Sequence, residues 1–391
     1  MSVQVSYKKQ ITFFLIMLLI VLIITEVFVR FVEIIEPQPC KIQTSSILSN
    51  LSTSELADMC HEYNHIEFDV QSPIRLLEPD QKGKFININS DGFRGQELDF
   101  KYEDYRIFLL GGSTMFGIIS TSDKTTIQGY LQEKLNKISF SKNIKVVNAG
   151  IEGSISIDEL YYLKNTILNY NPNLIVMYDG FNESLYFRGI VMPYEEFIKN
   201  THLENRQLFL QNQSEVGTGI IKFFEKIDYQ TALGIAAFLK DFSHNISTPK
   251  IQDSNFDRTN RLDEKKLATI ENNTKTNWSK VCELGKTNGF QVVNILQPML
   301  GTSDRILHPE EIEIMQTRGF PDWGLYWNNV EINNDRVSAC ENIHDFRNVF
   351  AGMDEVLLYF DRGHVVDFGN EIVAEQMFET LVPIIENDIK K

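Results

Sequence analysis

Three turns that contain glycine follow short apolar runs along the chain. GGST, with Ser113, follows RIFLL; AGIEGS, with Gly150 and Gly153, follows IKVVN; DGFNE, with Asn182, follows LIVMY. Glycines in such turns let backbone N–H groups face a ligand, and Ser113 and Asn182 add a hydroxyl and an amide. A serine hydroxyl becomes a nucleophile when a neighbouring base takes its proton. The first candidate chemistry is therefore nucleophilic attack by Ser113.

A candidate base lies near the C-terminus, in DRGHVVDFGN. Asp361 and His364 are three residues apart, a spacing that lets the carboxylate hold His364 Nδ1–H and leave Nε2 free to accept a proton. His344, followed by Asp345, is a rival base of the same chemical type. Such pairs often occur without any function, so Asp361 and His364 gain weight only together with Ser113.

A second constellation, His61-Glu62-Tyr63-Asn64-His65, is formally H-E-x-x-H, the pattern of zinc metalloproteases. It binds zinc only when a helix places both histidines on one face and the glutamate activates a metal-bound water. SELADMC can begin such a helix, but HIEFDVQSPI predicts extended chain directly afterwards, and no later block supplies an obvious third ligand. A structural role is therefore favoured, with a zinc site as the alternative.

Apolar runs and amphipathic stretches predict the elements that carry these turns. Strands are predicted at 105–110, 145–148, 174–178 and 290–296, and helices at 125–137, 157–170, 263–287 and 369–387. This spacing implies parallel βαβ units, whose strands all end at one edge of the sheet. The sequence predicts a flavodoxin-like three-layer α/β/α fold with a mostly parallel sheet, interrupted at about 190–262 by a largely helical insertion.

An apolar run at 11–29, broken only by Glu26, precedes this domain. At about 1.5 Å per residue it matches a hydrocarbon core of about 30 Å. No small residues typical of a signal-peptidase site follow, which favours an uncleaved transmembrane anchor over a cleaved signal peptide. Lys8 and Lys9 favour a cytoplasmic N-terminus at 1–10 and a domain outside the cytoplasm, although an arginine just after the run counts against this orientation.

Residues 30–85 contain several prolines and predict a stalk and lead-in to a main domain at 86–391. The four cysteines allow three pairings in an oxidising compartment. The simplest pairing is two local bridges, Cys40 with Cys60 and Cys282 with Cys340. Alternatively, Cys282 could equally be a buried thiol. The 53 acidic residues exceed the 37 basic ones, so nucleic-acid binding is not expected.

Taken in chain order, the polar blocks resemble those of the SGNH or GDSL-type hydrolase family, which is marked by a Ser, a Gly, an Asn and a His block. Ser113 in GGST matches the nucleophile block, although Gly112 stands where the family usually has Asp. Gly153 in AGIEGS matches the glycine block, with Gly150 as an alternative. The resemblance covers about 86–190 and 263–388.

The two later blocks match as well. Asn182 in GFNE matches G-x-N-D, with Glu183 where Asp is usual, and Asp361 and His364 in DRGH match D-x-x-H. The upstream segment INSDGFRG is similar to the lead-in of membrane-anchored members, and its Arg94 could contact substrate or form a structural salt bridge.

The resemblance implies a serine-dependent ester hydrolase without cofactor or metal. Ser113 would attack an ester carbonyl, His364 would take the proton, and Asp361 would stabilise the imidazolium. The backbone N–H groups of Ser113 and Gly153 and the side-chain amide of Asn182 would form the oxyanion hole.

The substrate class follows only from the anchor, which would place the site near O-acylated envelope carbohydrates and lipids. Three alternatives remain open: an O-acyltransferase to carbohydrate that uses the same residues, a zinc-dependent hydrolase at His61 and His65, and a non-catalytic binding protein. The aromatic stretch Phe320 to Trp327 could stack on a sugar or pack in the core.

Overall fold

A computed structural model describes residues 6–35, 46–69, 72–186, 264–317, 330, 337 and 339–390. The chain divides into two compact units, Met1–Lys41 with His202–Arg258 and Ile42–Thr201 with Thr259–Lys391. The predicted insertion at about 190–262 and the aromatic stretch from Phe320 lie outside the described residues. The second unit carries the sheet and every block that the sequence singles out.

The second unit is built on five parallel strands in the order β2-β1-β3-β4-β5. They are β1 (Tyr105–Gly111), β2 (Ile144–Gly150), β3 (Leu174–Asp179), β4 (Gln291–Leu296) and β5 (Asn342–Asp345). This is the flavodoxin-like strand order, so the predicted fold class is confirmed. The four predicted strands lie in one sheet, whereas β5 was not predicted, because NIHD is short and has no apolar run.

Nine helices are described, and seven of them belong to the part of the chain from Ser113 onward. They are α1 (Tyr7–Ile35), α2 (Thr53–Asn64), α3 (Ser113–Phe116), α4 (Ile127–Leu135), α5 (Ser156–Asn165), α6 (Phe181–Tyr186), α7 (Glu264–Asn288), α8 (Pro309–Thr317) and α9 (Asp367–Ile389). The helix predicted at 157–170 is split, because Thr166 leaves helical geometry at φ −130° and a 3₁₀ turn follows.

Helices cover both faces of the sheet, which explains why the strands read as continuous apolar runs. Side chains alternate along β1: Phe108 and Leu110 pack with α5 and α7, while Ile107 and Leu109 pack with α4 and α9. All four of these β1 side chains are fully buried. The two apolar layers make the strand ends rigid, and the site lies at those ends.

The segment predicted as a stalk differs from that expectation, because residues 46–69 and 72–85 pack into the second unit. Helix α2 begins with a capping box, and its Met59 is fully buried. Glu62 accepts the backbone N–H groups of residues 84–86 at 2.7–3.0 Å. Burial of apolar side chains between the prolines therefore makes this segment part of the domain.

Helix α1 is continuous over Tyr7–Ile35, and its segment Tyr7–Phe28 is long and apolar enough to cross a membrane. Length and composition alone support this, and a signal sequence has the same features. The apolar side chains of residues 11–24 are exposed in the structure.

Cys282 on α7 forms a disulfide with Cys340, with the Cα atoms 5.3 Å apart. This confirms the local pairing over a buried thiol at Cys282. Cys60 is also disulfide-bonded.

Candidate active site

Ser113 is the first residue of α3, directly after β1 and the N-cap Gly112. Its side chain is buried, and its Oγ lies 2.6 Å from Nε2 of His364, which is 251 residues away in the sequence. The backbone N–H of a residue at the start of a helix has no partner within the helix. Ser113 therefore combines a hydrogen-bonded hydroxyl with an available backbone donor.

The loop after Tyr359 orients His364. His364 Nδ1 lies 2.8 Å from Asp361 Oδ2, and Asp361 Oδ1 accepts the backbone N–H groups of Gly363 and His364, both at 2.9 Å. Both carboxylate oxygens are thus engaged, and the imidazole is held with Nε2 toward Ser113. The structure brings together the three residues predicted as nucleophile, base and orienting carboxylate.

The electrostatics of the pair match this geometry. Burial disfavours the carboxylate of Asp361, but the charge and hydrogen bonds of His364 and the N–H of Gly363 outweigh it and hold the pKa of Asp361 below its usual range. Burial also disfavours the imidazolium, but the charge and hydrogen bond of Asp361, with the charge of Glu152, raise the pKa of His364. His364 is therefore stabilised in the protonated form that a base reaches after accepting a proton.

Asn182 and Gly153 lie in the two turns beside Ser113. Asn182 is buried, and its Nδ2 donates to the carbonyl of Ser154 at 2.7 Å, which leaves its second amide hydrogen available. Gly153 has φ +76° in the left-handed region. Among the described residues, no partner accepts the backbone N–H of Ser113 or of Gly153. These N–H groups can bind an anionic oxygen.

Gly150 has a different role from Gly153. Its N–H donates to Asn148 Oδ1 at 3.0 Å, and a Cβ on Gly150 would lie 2.2 Å from the backbone nitrogen of Phe116 in α3. Gly150 thus lets α3 approach β2 closely. Of the two candidate glycines, only Gly153 has an uncommitted donor.

Gly112 stands where the family that this chain resembles usually has Asp, and the structure provides a physical reason. A Cβ at Gly112 would lie 2.2 Å from Asn182 Nδ2 and 3.3 Å from the carbonyl of Ser154. The Asn182 amide therefore occupies the space that a side chain at position 112 would need.

Buried Arg94 and partly buried Tyr63 hold α3 in place. Arg94 donates from Nη1 to the carbonyls of Phe116 and Gly117 and pairs through Nε with Asp123 at 2.9 Å. Its side chain is 1% exposed, so Arg94 is a structural ion pair and not a substrate contact. Tyr63 of α2 donates its hydroxyl to the same Gly117 carbonyl at 2.9 Å.

Glu183 is a residue that the sequence did not assign to the site. Oε1 accepts the N–H of Ser156 at 2.7 Å, and Oε2 accepts the N–H of Gly180 at 3.1 Å. One sequence signal could have identified Glu183: it follows Asn182 directly in DGFNE.

The H-E-x-x-H residues are arranged for packing. Both Glu62 oxygens are occupied by the backbone of residues 84–86, so Glu62 is not available to activate a water. His65 Nδ1 lies 2.7 Å from the carbonyl of His61, and the two rings stack at 4.0 Å. Within the described ranges no cluster of three metal-ligating side chains occurs.

His344, the rival base, lies on β5, and no carboxylate among the described residues pairs with it. Asp345 instead pairs with Arg347 at 2.5 Å. Burial lowers the pKa of His344, and its Nε2 is buried without a hydrogen-bond partner. This histidine therefore lacks the orienting contact that Asp361 provides to His364.

No protein-family model and no curated protein matches the sequence. Solved structures do match. An acetyl xylan esterase is 13% identical, with 71% of this chain and 100% of that chain covered and a TM-score of 0.39. An acetylxylan esterase from Geobacillus stearothermophilus is 12% identical, with 71% of this chain and 94% of that chain covered and a TM-score of 0.37. A putative lipolytic protein of the G-D-S-L family from Desulfitobacterium hafniense is 11% identical, with 71% of this chain and 99% of that chain covered and a TM-score of 0.37. These scores are low, so the chemistry must be inferred from the residues of this chain.

Proposed function

We propose that the protein is a serine-dependent ester hydrolase. The observation that carries this proposal is the hydrogen-bonded chain from Ser113 Oγ through His364 to Asp361, with distances of 2.6 and 2.8 Å. A nucleophile, a base and an orienting carboxylate in contact form the constellation that activates a serine hydroxyl.

In the proposed first half-reaction, Ser113 Oγ bonds to the ester carbonyl carbon while its proton passes to His364 Nε2. The resulting oxyanion lies against the N–H groups of Ser113 and Gly153 and the amide of Asn182. The carbon–alkoxy bond then breaks, and His364 returns the proton to the leaving alcohol. Asp361 stays ionised throughout and stabilises the imidazolium.

In the second half-reaction, water replaces the alcohol. His364 takes a proton from the water as its oxygen attacks the acyl-Ser113 carbonyl, and the same donors bind the second oxyanion. The ester bond to Ser113 breaks, Ser113 recovers its proton, and a carboxylic acid leaves. No cofactor or metal takes part in these steps.

The proposed substrate is an acyl ester of the cell envelope, either an O-acylated carbohydrate or a lipid. This rests on α1, which is apolar and long enough to anchor the protein at a membrane. With Lys8 and Lys9 on the cytoplasmic side, the domain would lie outside the cytoplasm.

The test compares full-length protein in detergent as wild type, Ser113→Ala and His364→Ala, with short-chain aryl esters as substrates. Both variants are expected to lose at least about 10³-fold in kcat, because a triad acts as a unit. His61→Ala is the matched control: it removes an exposed histidine outside the triad and is expected to retain wild-type turnover.

Each alternative has its own outcome in the same experiment. Wild-type turnover by Ser113→Ala would reject the mechanism, and loss of activity in His61→Ala with stoichiometric zinc would support the metal site instead. An excess of sugar acceptor is included, and acyl transfer that outruns hydrolysis would identify an acyltransferase with the same residues.

A further inference from the structure

The turns that carry the two outer oxyanion donors are joined by side-chain hydrogen bonds. One turn, 153–156, follows β2, and the other, 180–183, follows β3. Asn182 Nδ2 donates to the carbonyl of Ser154 at 2.7 Å, and Glu183 Oε1 accepts the N–H of Ser156 at 2.7 Å. Of two neighbouring residues in the 180–183 turn, Asn182 thus donates a hydrogen bond to the 153–156 turn and Glu183 accepts one from it.

We propose that Glu183 is a positioning residue of the oxyanion hole, whose carboxyl group clamps the 153–156 turn to the 180–183 turn. The inference rests on the proposed ester hydrolysis at Ser113. The two bonds that Glu183 accepts, from Ser156 and Gly180, are called the carboxyl clamp below. Glu183 itself does not touch the substrate.

The clamp matters because the Gly153 N–H has no acceptor of its own among the described residues. Gly153 has φ +76°, and its N–H makes no hydrogen bond to the described residues. Its direction is therefore set by its neighbours in the turn. Ser154 donates its N–H to the carbonyl of Ile151 at 3.0 Å and accepts from Asn182, and Ser156 donates its N–H to Glu183. Productive geometry tolerates errors of only about 0.5 Å in such donors.

The second bond of the clamp acts on Asn182. Oε2 of Glu183 accepts the N–H of Gly180 at 3.1 Å, which closes the 180–183 turn on itself. Gly180 has φ +144°, a conformation that glycine adopts readily because it has no Cβ, so the bond to Glu183 restricts the turn at its most mobile residue type. Closing the turn fixes the backbone of Asn182 and, with the Ser154 bond, the direction of its amide.

The clamp lies above two further buried carboxyl groups. Asp179 accepts the indole N–H of Trp278 at 2.5 Å. Burial and the charge of Asp179 raise the pKa of Glu159, the other carboxyl group. Burial first, and then the charge of Asp179, raise the pKa of Glu183, whereas the N–H groups of Ser156 and Gly180 lower it. Three buried carboxyls in one place cost stability, so packing alone does not explain Glu183, whereas positioning the donors does.

The first test uses Glu183→Met and Glu183→Gln in the full-length protein. Glu183→Met keeps the side-chain length and removes both acceptors, whereas Glu183→Gln keeps one acceptor and is a partial rescue. We expect kcat to fall by about 100-fold in Glu183→Met and about 10-fold in Glu183→Gln, because oxyanion donors act in the transition state.

A purely structural role would not produce the accompanying pattern. KM is expected to stay within about threefold of wild type, since the donors contribute mainly to the transition state. The acid limb of kcat/KM, which reports His364, is expected not to move, because the charges that raise the pKa of His364 are those of Asp361 and Glu152 and not that of Glu183. Glu133→Gln is the control: Glu133 is an exposed glutamate paired with Lys137 on α4 and should leave kcat unchanged.

The second test removes the partner donor and leaves Glu183 intact. Ser156 is the first residue of α5, a position where proline is tolerated, and the preceding Ile155 is extended at φ −121° and ψ 166°. Ser156→Pro deletes the N–H that Glu183 accepts. Its reference is Ser156→Ala, which keeps that N–H and loses only the hydroxyl contact to Asn277. We expect kcat of Ser156→Pro to be at least about tenfold below that of Ser156→Ala.

The outcomes separate the two proposals. If wild-type turnover does not depend on Ser113, the proposed function fails. If it does, but Glu183→Met and Ser156→Pro both retain the kcat of their references, the clamp is overturned. Should Glu183→Met fail to fold in a thermal melt, Ser156→Pro against Ser156→Ala decides. A rise in KM as large as the fall in kcat in all variants would also contradict a role in the transition state.

Discussion

At the scale of single residues, His364 lies in the field of two carboxylates of different exposure. Asp361 is largely buried and hydrogen-bonded to the ring, whereas Glu152 is partly exposed and pairs with Arg75 at 3.1 Å. Both charges raise the pKa of His364 against the opposing effect of burial. Only the Asp361 contact orients the ring, so mutation can distinguish the effects of the two carboxylates on His364.

The pH profile should show this separation. The neutral imidazole is the active base, so kcat/KM should rise with pH through an acid limb above the ordinary histidine value of about 6.5. Removing the negative charge in Glu152→Gln should move that limb to lower pH with little change in the plateau. Glu97→Gln, at an exposed glutamate paired with Lys82, is the control and should leave the limb in place. A limb that moves upward or not at all in Glu152→Gln would contradict the assignment.

Gly112 offers a second prediction at this scale. In Gly112→Ala the new Cβ would meet Asn182 Nδ2 at 2.2 Å, so the amide must leave its contact with Ser154. We expect kcat to fall by about 10- to 100-fold, as for the loss of an oxyanion donor, with a small change in melting temperature.

A double-mutant cycle tests the cause. Asn182→Ala removes the donor itself, so Gly112→Ala added to it should cost little more, since both act through one group. Fully additive losses in kcat would show that Gly112 acts in some other way than through Asn182.

At the scale of elements, α3 has only four residues and is too short to be stable alone. Its C-terminal carbonyls accept from Arg94 and Tyr63, while the N–H of Ser113 at its start stays uncommitted. Groups from far upstream therefore hold the element that carries Ser113, the proposed nucleophile. Helix α2 is tied to the domain in the same way, through Glu62 and residues 84–86.

This arrangement predicts that α2 contributes to the stability of the domain. Glu62→Ala leaves three backbone N–H groups without their acceptor and should lower the free energy of unfolding in urea by about 2 kcal/mol. Tyr63→Phe removes one hydroxyl contact and should lower it by about 1 kcal/mol. Glu67→Ala, at an exposed glutamate of the same segment, is the control. Equal stability of Glu62→Ala and Glu67→Ala would restore the stalk interpretation, and a loss of stability with chelator would restore the zinc site.

At the scale of the whole molecule, the proposed location of the chemistry depends on α1, which is long and apolar enough to span a membrane. We expect the full-length protein in the membrane fraction, with the domain digested by protease added to intact cells. Leu18→Arg with Leu19→Arg should release the protein from membranes, because two arginines at the centre of a span are costly, whereas Leu18→Ile with Leu19→Ile should not. An N-terminally shortened protein in the medium would instead identify a signal peptide, and protection from protease would reverse the orientation.

Much of the fold and of the candidate site could be predicted from the sequence, because the relevant signals are local. The runs RIFLL, IKVVN and LIVMY predict buried strands, and parallel strands end at one edge, so Ser113, Gly153 and Asn182 had to come near each other. The three-residue spacing of Asp361 and His364 predicts their contact. The strand β5 escaped prediction because its four residues, NIHD, contain a single apolar side chain and so form no apolar run.

Only the tertiary structure decided the contacts between distant segments. The choice of Gly153 over Gly150 depends on how closely α3 approaches β2, and Arg94 became a structural ion pair because the folded chain buries it against the carbonyl end of α3. The carboxyl clamp of Glu183 likewise exists only once two turns 27 residues apart meet. Periodicity and turn composition determine elements and their order, whereas hydrogen bonds between turns depend on packing distances that no local pattern encodes.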